Sequence, residues 1–169
     1  MLLKLTCKET VTAVANKMIN KKWKLAVAES CTGGMIGTII TNFPGSSLWF
    51  QGGIIAYQDE IKQSLLKVPS AILKKNGAVS KETVIAMSEG ICRLLSAECS
   101  IAVSGIAGPG GGTKEKPVGL VHIGISVLNT SKSYKYIFSG NRNDIREQTV
   151  EKSLLHLHNL QNPFLVPYQ

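Results

Sequence analysis

The chain has 169 residues, 44% of them hydrophobic and 18% charged, which supports one sizeable core and excludes a disordered chain. Its formal net charge of +8 sits on lysines scattered over helical faces and loops without interleaved aromatics, so a solvated surface with room for a small anionic ligand is expected, not a nucleic-acid face. No apolar run reaches the ~18 residues of a membrane span, no secretory leader pattern opens the sequence, and Cys7, Cys31, Cys92 and Cys99 form no CxxC pair, so reduced thiols and a cytoplasmic location are expected.

Thr6 to Lys22 carries Val11, Val14, Ala15, Met18 and Ile19 at helical spacing. The spacing predicts a strand near Trp23–Ala28 and a helix near Gly33–Asn42, then a turn at Phe43-Pro44-Gly45-Ser46-Ser47. A strand over Phe50–Tyr57 precedes a short helix near Asp59–Leu66, and Pro69 opens another helical turn at its first position. Ser80 to Ser96 is the strongest helix signal, capped by Ser80 and burying Val84, Met87, Ile91, Leu94 and Leu95. Cys99–Ser104 reads as a fully buried strand. Val118–Leu128 and Ser133–Phe138 read as a hairpin joined by Asn129-Thr130-Ser131-Lys132. The last helix is expected to start on Asn143 or Asp144 as cap and to end near His158. Residues 1–160 are read as one domain and 161–169, with Pro163 and Pro167, as a frayed tail. Helices alternating with about five strands predict an α/β fold: a three-layer α/β/α sandwich around a mixed, mostly parallel sheet.

Two loops carry the chemistry. Ala28-Glu29-Ser30-Cys31-Thr32-Gly33-Gly34 lies where a buried strand gives way to a helix. Such a turn aims several N–H groups one way at the positive end of a helix dipole, which suits a phosphate or the oxyanion of an acyl transfer. Ser104-Gly105-Ile106-Ala107-Gly108-Pro109-Gly110-Gly111-Gly112-Thr113 follows another buried strand. It lacks the Gly-Lys-Ser/Thr of a P-loop and the GxGxxG spacing, so a mobile surface loop and a ligand cradle both stand. Ligands bind beyond the carboxyl ends of strands in such sheets, which gathers the loops after Ala28, Tyr57 and Ser104.

Ser30 is equally readable as a helix cap or as a nucleophile. His122, His156 and His158 show no metal spacing and no sequence reason to reach it. Lys62, just after the strand ending in Tyr57, is a candidate base if burial leaves it neutral, against the plain reading of an exposed helical lysine. Tyr57 is equally an ordinary strand-end aromatic. Cys31 is a rival nucleophile without a histidine to form its thiolate. Ser64-Leu65-Leu66-Lys67 matches SxxK, but SDN and KTG are absent.

The segments AESCTGG (28–34), PGSSLWFQGG (44–53), Tyr57 with Lys62, GAVS (77–80), SGIAGPGGGT with KPVG (104–119), and FSGNR with Arg146 together resemble the CinA C-terminal domain family of nicotinamide-nucleotide amidohydrolases. The chain departs from that family's pattern at Asp59, where Asn is usual. The resemblance implies hydrolysis of the carboxamide of nicotinamide mononucleotide by a Ser/Lys dyad, with Ser30 as nucleophile and Lys62 as base. It implies Tyr57 and Ser104 as helpers, and Cys31, Thr32, Gly33, Gly34, Gly108, Gly110, Gly111, Thr113, Arg142 and Arg146 as substrate contacts. No metal or cofactor is implied, the partner is a phosphorylated pyridine nucleotide, and a homodimer is expected. The family's association with DNA uptake keeps a binding or regulatory module without amidase activity as the alternative.

Overall fold

The computed structural model describes residues 5–128 and 130–160. Asn129 and the expected tail at 161–169 lie outside them. In chain order the elements are α1 (Leu5–Lys21), β1 (Leu25–Glu29), α2 (Met35–Thr41), a single 3₁₀ turn (Ser46–Leu48), β2 (Phe50–Ile55), α3 (Asp59–Ser64), α4 (Ser70–Asn76), α5 (Lys81–Leu95), β3 (Cys99–Gly105), β4 (Leu120–Val127), β5 (Thr130–Ile137) and α6 (Arg142–Leu160).

The five strands form one sheet in the order β2-β1-β3-β4-β5. β1 is parallel to both β2 and β3, whereas β4 is antiparallel to β3 and β5 to β4. Four strands therefore share one direction and β4 alone is reversed, the mixed α/β sheet the sequence predicts. The chain leaves β1 for β2 on one side and later places β3 on the other, so the carboxyl ends of β1 and β3 flank a topological switch point.

The two faces of the sheet differ in side-chain size. Leu25, Val27, Ile101, Val103, Ile123 and Ile125 join the larger core with Val14, Met18, Ile36, Leu154 and Leu157 from α1, α2 and α6. Ala26, Ala28 and Ala102 face the other way, against Met87 and Ile91 of α5 and Leu66. Because side chains alternate along a strand, one register gives a thick apolar face and a thin one. The thin face lets α5 come very close. A Cβ on Gly90 would lie 2.0 Å from the Leu66 carbonyl oxygen, and one on Gly124 would lie 2.4 Å from the Val84 oxygen. Small residues at these contacts allow this close packing.

Several local expectations need correction. α2 begins at Met35, not Gly33, because Gly33 and Gly34 take left-handed backbone (φ +60° and +95°), a conformation glycine adopts without penalty. Pro69 is the cap of α4, one position before its first residue. The cap of α6 is Asn141: its Oδ1 accepts the N–H groups of Asn143 (2.8 Å) and Asp144 (3.2 Å), and Asp144 accepts the Asn141 N–H in return at 2.8 Å. That reciprocal arrangement is a capping box, with Asp144 as its second member. β5 starts at Thr130, so the hairpin turn is tighter than the four residues expected. Ser80 caps α5 as predicted, accepting the Thr83 N–H at 3.2 Å.

Candidate active site

Ser30 follows the last residue of β1, and its N–H donates to the Val103 carbonyl at 3.1 Å, extending the β1–β3 pairing into the turn. Its side chain lines a cavity of about 220 Å³ at the switch point, together with Cys31, Tyr57, Asp59, Lys62, Ser104 and Arg142. Gly105, Ala107, Ala78 and Val79 complete the wall. Ser30 is only 8% exposed. It does not cap α2, because the cap position belongs to Gly34.

Lys62 is 1% exposed, among the most enclosed side chains of the molecule. That overturns the reading of an exposed helical lysine. Its Nζ donates to the Tyr57 carbonyl and to Asp59 Oδ1, both at 3.0 Å. Tyr57 lies just before α3 and Asp59 is its first residue, three positions before Lys62, so both acceptors come from the start of the helix that carries the amine. A buried charge needs such partners, since desolvation without them is costly.

Arg142 stands at the cavity's edge. Its Nη1 donates to the Gly108 carbonyl at 2.7 Å and its Nη2 to the Tyr57 hydroxyl at 3.4 Å, while Tyr57 itself is 53% exposed. Arg142, with Ala107, also lines a second cavity of about 560 Å³ whose other walls include Pro109, Val118, Asn141 and Asn143. The guanidinium thus lies between a small polar chamber and a larger one.

The remaining expected contacts are distributed unevenly. Arg146 does not line the first cavity and donates from Nη2 to the Thr32 carbonyl at 2.7 Å. The Thr32 hydroxyl is buried and donates to Glu29 Oε2 at 2.6 Å. Gly108 supplies a carbonyl to Arg142, but Gly110, Gly111 and Thr113 line neither cavity. The loop tip folds on itself instead: Thr113 N donates to the Lys116 carbonyl at 2.8 Å, and its hydroxyl accepts from Lys116 N at 3.0 Å. The loop's base is tied to β4 through Ile106 N to Leu120 O at 2.8 Å. The loop thus has a base tied to β4 beside the cavity and an exposed tip.

Burial pushes the Cys31 thiol up to about 12, so it remains protonated and is no rival nucleophile. The backbone of the first loop is also more committed than its composition suggests. The Gly33 N–H donates to the Ser30 carbonyl at 3.1 Å, and the N–H groups of Gly34 (3.0 Å), Ile36 (3.1 Å) and Gly37 (2.9 Å) all go to the Glu29 carboxylate. Cys31 and Thr32 N–H are not taken up by these bonds.

Glu29 and Lys116 have site-building roles that sequence reasoning missed. Lys116 donates from Nζ to Asn76 O (2.7 Å) and Val79 O (2.9 Å), pinning the segment that walls the cavity. A signal for Glu29 existed: a carboxylate closing a fully buried apolar strand must find donors. No such signal marks Lys116 among the many lysines. Among the described residues no cluster of His, Cys, Asp or Glu is fit to hold a metal ion, and no helix is long and apolar enough to cross a membrane.

A doubly wound α/β domain with a buried serine and a buried lysine facing one cavity at its switch point defines the class. The chain belongs to the CinA C-terminal domain family, whose profile matches residues 8–161. It is 48% identical over 148 residues to a CinA-like protein of Endomicrobium trichonymphae, covering 86% of this chain but 34% of that protein. A putative competence-damage inducible protein of Halothermothrix orenii is 46% identical over 144 residues, covering 84% of this chain and 35% of that protein. The chain thus spans about a third of the length of these relatives. Among solved structures, the competence/damage inducible protein CihA of Agrobacterium tumefaciens superposes with a TM-score of 0.92 at 34% identity, covering 96% of this chain and 99% of that one. The CinA superfamily protein of Enterobacter cloacae gives 0.90 at 29%, covering 96% of each.

Proposed function

We propose that this chain hydrolyses the carboxamide of nicotinamide mononucleotide to nicotinic acid mononucleotide and ammonia, with Ser30 as nucleophile and Lys62 as general base. The observation that carries this reading is the enclosure of Lys62 in the same cavity as Ser30. An amine removed from solvent and aimed into a cavity with a hydroxyl is the arrangement a Ser/Lys hydrolase needs.

In this scheme the neutral Lys62 amine takes the Ser30 proton as Oγ bonds to the carboxamide carbon. The resulting oxyanion is met by N–H donors, for which Cys31 and Thr32 are the open candidates, the neighbouring N–H groups being committed to Glu29 and Ser30. Collapse breaks the C–N bond, and the lysine returns its proton to the leaving nitrogen, releasing ammonia. A water then adds to the acyl-enzyme, Lys62 again relaying the proton, and the carboxylic acid departs. The 220 Å³ chamber suits the carboxamide end of the substrate, and the 560 Å³ cavity across Arg142 offers space for ribose and phosphate. In this reading Arg142 meets the phosphate or the sugar.

The competence-damage names of relatives favour a second reading, a regulatory or DNA-binding module without turnover. Ammonia release measured across a panel of pyridine nucleotides, with DNA binding followed in parallel over a salt series, separates the two. Release from the phosphorylated amide alone supports the amidase. No release together with salt-steep DNA binding supports the alternative.

A further inference from the structure

We propose that Glu29 is a positioning residue for Ser30, a clamp that closes both ends of the turn on which Ser30 sits. The inference rests on the amidase reading only in taking Ser30 as the reactive group.

Glu29 is the last residue of β1 and is 1% exposed. Its carboxylate reaches across the turn and accepts four hydrogen bonds: the Thr32 hydroxyl (2.6 Å) and the N–H groups of Gly34 (3.0 Å), Ile36 (3.1 Å) and Gly37 (2.9 Å). All four donors are uncharged. A seven-residue helix such as α2 can be capped by a single hydroxyl or amide just before it. Here the acceptor comes instead from the strand, so strand end and helix start are fastened to one side chain. Residues 30–33 are the loop between those fastenings.

Two consequences follow for the site. The turn cannot open or slide without breaking several charge-assisted bonds at once, so Ser30 Oγ and the N–H groups of Cys31 and Thr32 are held in fixed relation to the cavity. The start of α2 is also already occupied by an anion. The N–H groups of Gly34, Ile36 and Gly37 are thus already taken by Glu29, which favours the Arg142 side for a substrate phosphate. The turn is braced from outside by Arg146, whose Nη2 holds the Thr32 carbonyl at 2.7 Å.

The test uses Glu29→Gln and Thr32→Val in the full chain. Glu29→Gln sets an NH₂ against backbone N–H donors, and Thr32→Val removes one bond while keeping the shape. Two readouts are taken: the rate at which a small uncharged fluorophosphonate labels Ser30, and kcat and KM for nicotinamide mononucleotide. For Glu29→Gln, labelling and kcat are expected to fall about 10- to 100-fold with KM within about threefold, as for a displaced reactive group. Thr32→Val is expected to shift both the same way by a smaller factor, with Thr32→Ser recovering most of it. Unchanged labelling and kcat, or a raised KM with kcat intact, overturns the proposal. If Glu29→Gln does not fold by circular dichroism, the Thr32 pair decides. Should wild-type Ser30 label yet release no ammonia from any nucleotide, the amidase reading fails while the labelling rates still judge Glu29.

Discussion

Asp59 Oδ1 and Lys62 Nζ meet at 3.0 Å in the cavity that also holds Ser30, with the lysine enclosed and the aspartate part-exposed. The amine's second partner is the Tyr57 carbonyl. These two acceptors fix the direction of the amine in the wall of the cavity that Ser30 also lines. The acceptors that orient the amine also restrain it.

The atom of Asp59 that Lys62 uses is one an asparagine also has. Asp59→Asn is therefore expected to keep kcat for amide hydrolysis within about threefold, whereas Asp59→Ala, which removes the acceptor, lowers kcat about 10- to 100-fold with little change in KM. Steady-state kinetics of the two variants check this. Equal losses in both would show that the carboxylate charge itself is needed.

Cys31 is adjacent to Ser30 but inert by burial. Incubation with iodoacetamide at neutral pH is expected to leave turnover intact and Cys31 unmodified by mass spectrometry. The same burial has a stability signature. With the native thiol held up to about 12 and an ordinary one near 9, the unfolded chain loses its proton first. Stability is therefore full below pH ~9 and declines as pH rises from there toward about 12. Cys31→Ala should flatten that decline, and an unchanged alkaline slope would argue against it.

On α6, His156 stacks on Tyr134 with ring centroids 3.5 Å apart, and its Nε2 hydrogen-bonds the Tyr136 hydroxyl. Burial, reinforced by Lys152, pulls this imidazole down to about 4. An unfolded histidine gains its proton near 6.5, before the native one does. The associated stability is present above pH ~6.5 and is lost as pH falls toward about 4. Melting temperatures of wild type and His156→Phe across that window should converge in slope only if His156 is not the source.

Gly90 tests how closely α5 packs on the segment that follows α3. In an open helix, Gly→Ala stabilises by up to ~1 kcal/mol. Here the new methyl would sit 2.0 Å from the Leu66 carbonyl oxygen, so Gly90→Ala is expected to destabilise by about 2 kcal/mol or more. A denaturation midpoint at or above wild type would contradict the packing described.

The periodic elements were legible because their signals are local: the continuous buried run of β3, the α5 stripe through Val84, Met87 and Ile91 (Leu94, expected with them, is exposed), and Ser80 as a cap all act within a few residues. The helix start at Met35 was misplaced by two residues because composition does not reveal that Gly33 and Gly34 turn left-handed. Asn141 was passed over as the α6 cap because three adjacent polar residues offer the same chemistry. At the site, Ser30 and Lys62 are legible as residue types, but the wall that encloses Lys62 is completed by Ala78, Val79, Ser104 and Gly105 from distant segments. Those are long-range contacts that no local pattern encodes. The Glu29 clamp was hidden for a related reason: its donors lie within eight residues, yet which way the carboxylate turns is decided by β1's register in the sheet.

The most direct measurement is ammonia release from nicotinamide mononucleotide by wild type, Ser30→Ala and Lys62→Ala, each verified as folded. Turnover by wild type and loss of it by at least about a thousandfold in both variants, with nucleotide binding retained, is the predicted result. Ammonia release by Ser30→Ala at the wild-type rate would contradict it.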